Sequence, residues 1–261
     1  MRSKVYREVK PESPFMVTGL PGAAGVAKLS ADYLVKQLKG ELFEELYSDA
    51  FPPHVMIRKD GTVELLRNEL HLCKNTKSKN DLIVFTGNTQ AVSPEGQYEV
   101  ANETVARAKR LGVVRFFATA AYVVEKSVDK PRVHAAAGDP KLLEELKEYG
   151  VVPMEAGSIT GTNGLLFGLA ALHDIPSICL LSETPAYTTP SGRIVVDAKA
   201  AQALLEVLTK ILNIEIDMKP LEEEAKLSEE FMQRMEEMER RTIEEVRRAA
   251  VPRPPKEQMY V

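Results

Sequence analysis

The chain is predicted to fold as an α/β protein with a mixed, largely parallel central sheet flanked by helices and a helical C-terminal extension. Three observations predict this. Continuously apolar runs alternate with segments whose apolar residues recur every three or four positions, as expected of strands buried on both faces between covering helices. The 261 residues, 44% hydrophobic and 28% charged, suffice for one large globular domain with an appendage. Beyond Asp217 the composition changes, becoming dense in Glu and Arg with no Gly or Pro from 221 to 250. The expected organisation is a core over 1–216, a charged amphipathic helical extension over 217–251 and a Pro-rich tail over 252–261.

The elements follow in order. Residues 15–19, Phe-Met-Val-Thr-Gly, read as a buried strand closed by glycine, and Val26, Leu29, Tyr33, Leu34 and Leu38 repeat at helical spacing. After Glu-Leu-Phe-Glu-Glu-Leu-Tyr-Ser come two short runs around Asp60-Gly61. That dipeptide supplies the positive φ angles of a tight hairpin turn. Residues 69–75 should extend the same antiparallel patch. A second alternating series then begins. Residues 81–87 form a strand, 98–111 a helix ended by Gly112, and 113–122 a strand. A short helix over 141–149 follows Asp139-Pro140, an N-cap and first-turn proline. Residues 163–173 read as a buried helix in which Gly164 and Gly168 permit close packing. Residues 175–183 form the next strand, and 197–212 a strongly amphipathic helix.

Several function classes are disfavoured by composition. A net charge of −4 and an isoelectric point near 5.8 argue against a broad nucleic-acid footprint. No apolar run approaches the roughly 20 residues that span a bilayer, and the first residues lack a signal-peptide core, so a cytoplasmic location without membrane contact is expected. Cys73 and Cys179 sit in apolar alternating stretches and read as buried strand residues. His54, His71, His134 and His173 show no metal-ligand spacing, so neither metal nor cofactor is expected.

In the extension, Leu227, Phe231, Met235, Met238, Thr242 and Val246 form one narrow apolar seam on a helix of ~30 residues, about 45 Å long. Packing on the core is the favoured use of this seam; pairing with another subunit is the alternative, supported by length and by flanking Glu236, Glu237, Arg240 and Arg241. Pro252, Pro254 and Pro255 then stiffen the chain toward polyproline II geometry. It finishes in Met259, Tyr260 and Val261, an adaptable apolar residue, an amphipathic aromatic and a carboxylate, which together make a plug for a carboxylate-capturing pocket.

Met259-Tyr260-Val261 is similar to the hydrophobic–Tyr–any-residue terminus of proteasome activators and assembly chaperones. The body adds to this. Phe15-Met-Val-Thr-Gly19-Leu-Pro21-Gly22-Ala-Ala-Gly25-Val, followed by Ala31-Asp-Tyr33-Leu34, resembles the opening of the proteasome assembly chaperone family. So do Ala156-Gly157-Ser-Ile-Thr-Gly161-Thr-Asn-Gly164, Ile175-Pro176, Leu180-Leu-Ser-Glu183-Thr-Pro185 and Asp197-Ala-Lys-Ala-Ala201. The likeness is to the archaeal homologues. It implies a nucleoside-phosphorylase-like core and a tail inserted between α-subunits of the core proteasome. The body it implies is a homo-oligomer, with a tetramer expected ahead of a pentamer. No ATPase-type phosphate loop is present, so any activation would be ATP-independent.

The rival reading is a nucleoside phosphorylase or hydrolase-like enzyme. Gly19, Gly22 and Gly25 lie between a strand and a helix, where amides can receive phosphate, but their spacing departs from Gly-x-Gly-x-x-Gly and Pro21 removes a donor. Asn88, in Gly87-Asn88-Thr89, and the 161–164 turn are further anion positions. Glu155, Glu183, Asp139 and His134 are candidates for proton transfer, though no spacing unites them.

Overall fold

The computed structural model describes residues 1–75, 77–126, 128–188, 192 and 194–250. In chain order the strands are β1 (Arg2–Val5), β2 (Phe15–Thr18), β3 (Glu41–Tyr47), β4 (Val55–Ile57), β5 (Val63–Leu65), β6 (Asn68–Cys73), β7 (Leu82–Gly87), β8 (Arg115–Val123), β9 (Val133–Ala137), β10 (Val152–Pro153) and β11 (Ser177–Thr184). The helices are α1 (Val26–Gln37), α2 (Pro94–Arg110), α3 (Pro140–Leu146), α4 (Gly161–Leu172), α5 (Ala198–Leu212) and α6 (Lys219–Ala250).

Nine strands form one mixed sheet in the order β1-β3-β6-β7-β2-β8-β11-β9-β10. The parallel pairing expected from the buried apolar runs holds across its middle, β7-β2-β8-β11. β1, β3 and β6 extend one side antiparallel, and β9 enters antiparallel to β11 on the other. Successive residues of the central strands alternate between two cores. Met16, Phe85 and Phe116 face α2 and α4, whereas Val17, Val84 and Phe117 face α1 and α5. Helices thus cover both faces, as a parallel centre requires.

Caps set the helix starts. Ser93 Oγ accepts from the Gly96 amide at 3.1 Å with Pro94 in the first turn, so α2 begins four residues before the expected 98. Asp197 Oδ1 accepts from the Ala200 amide at 2.9 Å and Asp139 Oδ1 from the Lys141 amide at 2.8 Å. Arg107 of α2 reaches Glu44 of β3 at 2.9 Å, a buried ion pair tying helix to sheet.

Two expectations are corrected. β4 and β5 make a separate two-stranded hairpin, while β6 leaves it to join the main sheet. The turn is also longer than Asp-Gly alone. The Arg58 amide donates to the Thr62 carbonyl at 2.9 Å, so Lys59, Asp60 and Gly61 form the loop and Gly61 (φ 79°) carries the positive φ. Asp60 instead accepts from the Thr62 amide and hydroxyl, at 3.0 and 2.7 Å.

Gly19 marks a close approach. A Cβ there would lie 2.2 Å from the carbonyl oxygen of Ala27, so α1 packs directly on the end of β2. Gly19→Ala is expected to lower stability by about 1–3 kcal/mol, as overpacking does. A urea midpoint shift at unchanged slope would check it; an unshifted midpoint would show that α1 can yield.

Candidate functional site

The carboxyl ends of β2, β8 and β11 open on a crevice of about 500 Å3, bounded by Gly22, Gln90, Tyr122, Met154, Thr160 and Asn163 among others. Open α/β sheets commonly receive ligands at this position. Among the described residues lining it, none is acidic, basic or a histidine. Two of its polar side chains already serve the fold. Asn163 Oδ1 accepts from the Leu20 amide at 3.2 Å, and its Nδ2 donates to the Leu20 carbonyl at 3.3 Å. Gln90 Nε2 donates to the Pro21 carbonyl and its Oε1 accepts from the Thr162 amide. Two amide side chains thus stitch the 19–22 turn to the start of α4. Sequence reasoning missed Gln90, and placed Asn163 at the start of a buried helix and in the 161–164 anion-position turn rather than in a bond to the 19–22 turn.

The four possible ligand-loop residues are not brought together. Gly22 lines the crevice. Gly19 serves helix packing, and Gly25 (φ 63°) forms the left-handed entry to α1. Asn88 points to the chain before β6, its Oδ1 accepting from the Arg67 amide at 2.8 Å and its N–H donating to the Arg67 carbonyl at 3.1 Å. The proton-transfer candidates are dispersed as well. Asp139 caps α3 at the opposite end of the sheet, because β9 runs antiparallel to β11, and Glu155 is exposed.

His134 and Glu183 do meet. His134 Nε2 lies 2.9 Å from Glu183 Oε1, and the Tyr122 ring stacks on His134 at 4.3 Å. Arg132 donates to the same carboxylate from Nε at 2.9 Å and from its backbone amide at 3.1 Å. Burial alone would push the Glu183 carboxyl up. The hydrogen bonds from Arg132 and His134 and the guanidinium charge outweigh it and hold it at about 2. Glu183 is therefore an ionised structural anchor rather than a proton donor near neutrality. A carboxyl with a depressed folded-state value stabilises above its ordinary value, 4.5, and that stability is lost as pH falls toward 2. Glu183→Gln is accordingly expected to flatten the acid side of the stability–pH curve between pH 4.5 and 2. Denaturant titrations across that window would check it, and an unaltered slope would contradict it.

The cysteines are buried, and burial pushes both thiols up to about 12, the opposite of a reactive thiolate. No cluster of three or more His, Cys, Asp or Glu suited to a metal occurs among the described residues. No helix among them is long and apolar enough to cross a membrane.

The other feature is α6. The Tyr33 hydroxyl donates to the Asp217 carbonyl at 2.6 Å just before it, and Lys199 of α5 bridges Glu229 at 2.7 Å. Leu221, Ala225 and Met232 are buried, while the Ser228 hydroxyl donates to the Val196 carbonyl at 2.8 Å. The row that packs on the core is thus 221-225-228-232, not the seam read from the sequence. Leu227, Phe231 and Met238 of that seam are 68%, 43% and 56% exposed, and Thr242 is exposed too. Beyond Met232, Met235 is half-buried and the described side chains from 237 to 245 are exposed, and residues 233–250 span about 27 Å. Glu230–Arg234 and Glu237–Arg241 pairs, acid toward the N-terminus, support this outer half. Met259, Tyr260 and Val261 lie outside the described residues, as does the side chain of Val246.

The model of the PAC2 family matches residues 16–236. A relative from Methanocaldococcus jannaschii, uncharacterized, is 37% identical over 98% of this chain and 95% of its own. The crystal structure of Pyrococcus furiosus PbaB, an archaeal proteasome activator, is similar with a TM-score of 0.82 and 36% identity, over 90% of this chain and 98% of that one. That of Pyrococcus furiosus PbaA, an archaeal homologue of proteasome-assembly chaperone, gives 0.71 and 27%, over 95% and 97%.

Proposed function

The chain belongs to the PAC2 family, and from that premise we propose that it binds the core proteasome without ATP, as an activator or assembly chaperone, by docking Met259, Tyr260 and Val261 into pockets between α-subunits. The observation that carries the reading is α6. It is anchored to the body by its first turns, and its described side chains from 237 to 245 are exposed, which suits a helix that presents a tail to a partner. A stiff Pro-rich stem loses little conformational entropy on binding, and Tyr260 offers a ring to bury and a hydroxyl to pair. The likeness to PbaB supports activation; the likeness to PbaA supports the assembly role equally well in kind, at lower identity.

One short plug binds weakly, so several on a shared body gain by effective concentration. We therefore read the protein as a homo-oligomer, a tetramer ahead of a pentamer, with the exposed seam Leu227-Phe231-Met238 as a contact between copies. The test is co-sedimentation with purified core proteasome, comparing the full chain with one lacking 259–261, alongside hydrolysis of a fluorogenic peptide. Loss of co-sedimentation with an intact fold is expected; retained binding would overturn the docking. Faster peptide hydrolysis would select activation over assembly. No observation favours the enzyme reading: Asn88 and Asp139 hold the fold, and Glu183 is bridged by Arg132 and His134 outside the crevice lining.

A further inference from the structure

The β4–β5 hairpin exposes five large apolar side chains: Val55 47%, Met56 48%, Ile57 65%, Val63 68% and Leu65 58%. Val55 faces Leu65 and Ile57 faces Val63 across the ribbon, so these four share one face. That face continues into an open concavity of about 510 Å3, lined by Tyr47, Phe51, Pro52 and Leu66 with Val55 and Leu65. Patches of this kind mark interaction sites.

Among the described residues the outer backbone edge of β4 has no partner strand either. Arg58 and Thr62 form a hydrogen-bonded pair, so by the alternation of antiparallel ladders Met56 and Glu64 form the next. Val55 and Ile57 consequently direct their N–H and C=O groups outward from β4. Within Val55–Ile57 there is no charge, proline or bulge of the sort that guards an edge. A two-stranded ribbon alone is marginal in water.

We propose that β4 pairs antiparallel with β4 of a second copy of this chain, about a two-fold axis at Met56. In that register Val55 of each copy exchanges hydrogen bonds with Ile57 of the other. Met56 meets its own equivalent as a non-hydrogen-bonded pair. The tip of each hairpin, bearing Ile57 and Val63, comes to lie beside Val55 of the other, at the wall of its concavity. The contact is isologous, so one self-complementary patch suffices. Charge decides between the two free edges. The same pairing through β5 would centre on Glu64 and set two carboxylates opposite each other, which is unfavourable. Through β4, Glu64 stays bridged within its own chain by Arg58 at 2.5 Å and by Arg67. An unrelated extended peptide could use the edge but would not return a tip to the concavity. This inference rests on the homo-oligomer reading above, and it adds a contact separate from α6. Two different two-fold contacts generate a tetramer.

The test uses the full chain carrying Met56→Cys or Glu64→Cys under mild oxidation, with oligomer mass by light scattering. Opposed residues of a non-hydrogen-bonded pair sit at about 4.5 Å between Cα atoms, within disulfide reach. Cys73 and Cys179 are buried and stay silent. Met56→Cys is expected to give a covalent dimer and Glu64→Cys none. Ile57→Pro removes an outward N–H together with the Ile57 side chain at the contact, and should halve the mass with an unchanged circular dichroism spectrum; Ile57→Lys serves if proline perturbs folding. An oligomeric wild type in which Met56→Cys does not cross-link, or Glu64→Cys does instead, overturns this interface and leaves the homo-oligomer reading standing. A monomeric wild type overturns both.

Discussion

Replacing Tyr260 with Ala is expected to weaken binding to the core proteasome by about 30-fold for each tail, the effect of losing an aromatic hot spot worth about 2 kcal/mol. The argument is one of location and chemistry. Tyr260 follows a helix whose described side chains from 237 to 245 are exposed, so under the docking proposal the substitution is expected to remove contact area at the partner. Because every copy carries the change, the loss compounds wherever several tails bind together, and the measured deficit in an oligomer should exceed the single-site figure. Stability and oligomer mass should not move. Surface plasmon resonance on immobilised core proteasome, with thermal unfolding as the control, separates these outcomes. Near wild-type affinity for Tyr260→Ala would show that another surface does the binding. Tyr260→Phe partitions the result, since it keeps the ring and removes only the hydroxyl.

How much of this was legible beforehand follows from what each element depends on. The strands β2, β7, β8 and β11 are apolar on both faces, so burial is written in consecutive residues. The edge strand β1 is not. Each of Arg2–Val5 is exposed, and their extended state comes from backbone pairing with β3, more than 35 residues away, shown by Arg2 opposite Tyr47. β9 was equally silent, because Val-His-Ala-Ala-Ala has no strand signature and its place is set by antiparallel pairing to β11. The crevice failed for the same reason. Gln90 and Asn163 matter through bonds to Pro21, Leu20 and Thr162, contacts that no local spacing announces. In α6 the periodicity was right and the face was wrong. The packed row contains Ala225 and Ser228, less apolar than Leu227 and Phe231, because Ala225 is buried and Ser228 bonds the Val196 carbonyl just before α5, contacts that hydrophobic periodicity does not register.

That misreading motivates the second large effect. Phe231→Glu combined with Met238→Glu is expected to lower the oligomer mass and, with it, proteasome affinity by about 100-fold or more, although neither residue belongs to the docking tail. Both side chains are substantially exposed in the single chain, so charging them costs little within a protomer; Leu221, Ala225 and Met232 still hold α6 to α5. If copies meet along this seam, each copy would bring two carboxylates into the contact against apolar surface, a penalty of several kcal/mol. Tails on separated protomers then bind one at a time, and the effective-concentration gain of 10²–10⁴ disappears. A fused monomeric protomer bearing an intact tail should match the double variant in affinity. Light scattering combined with binding titrations distinguishes the alternatives. Unchanged mass would mean that the seam faces something other than a second copy, and changed mass with unchanged affinity would mean that a single tail is enough.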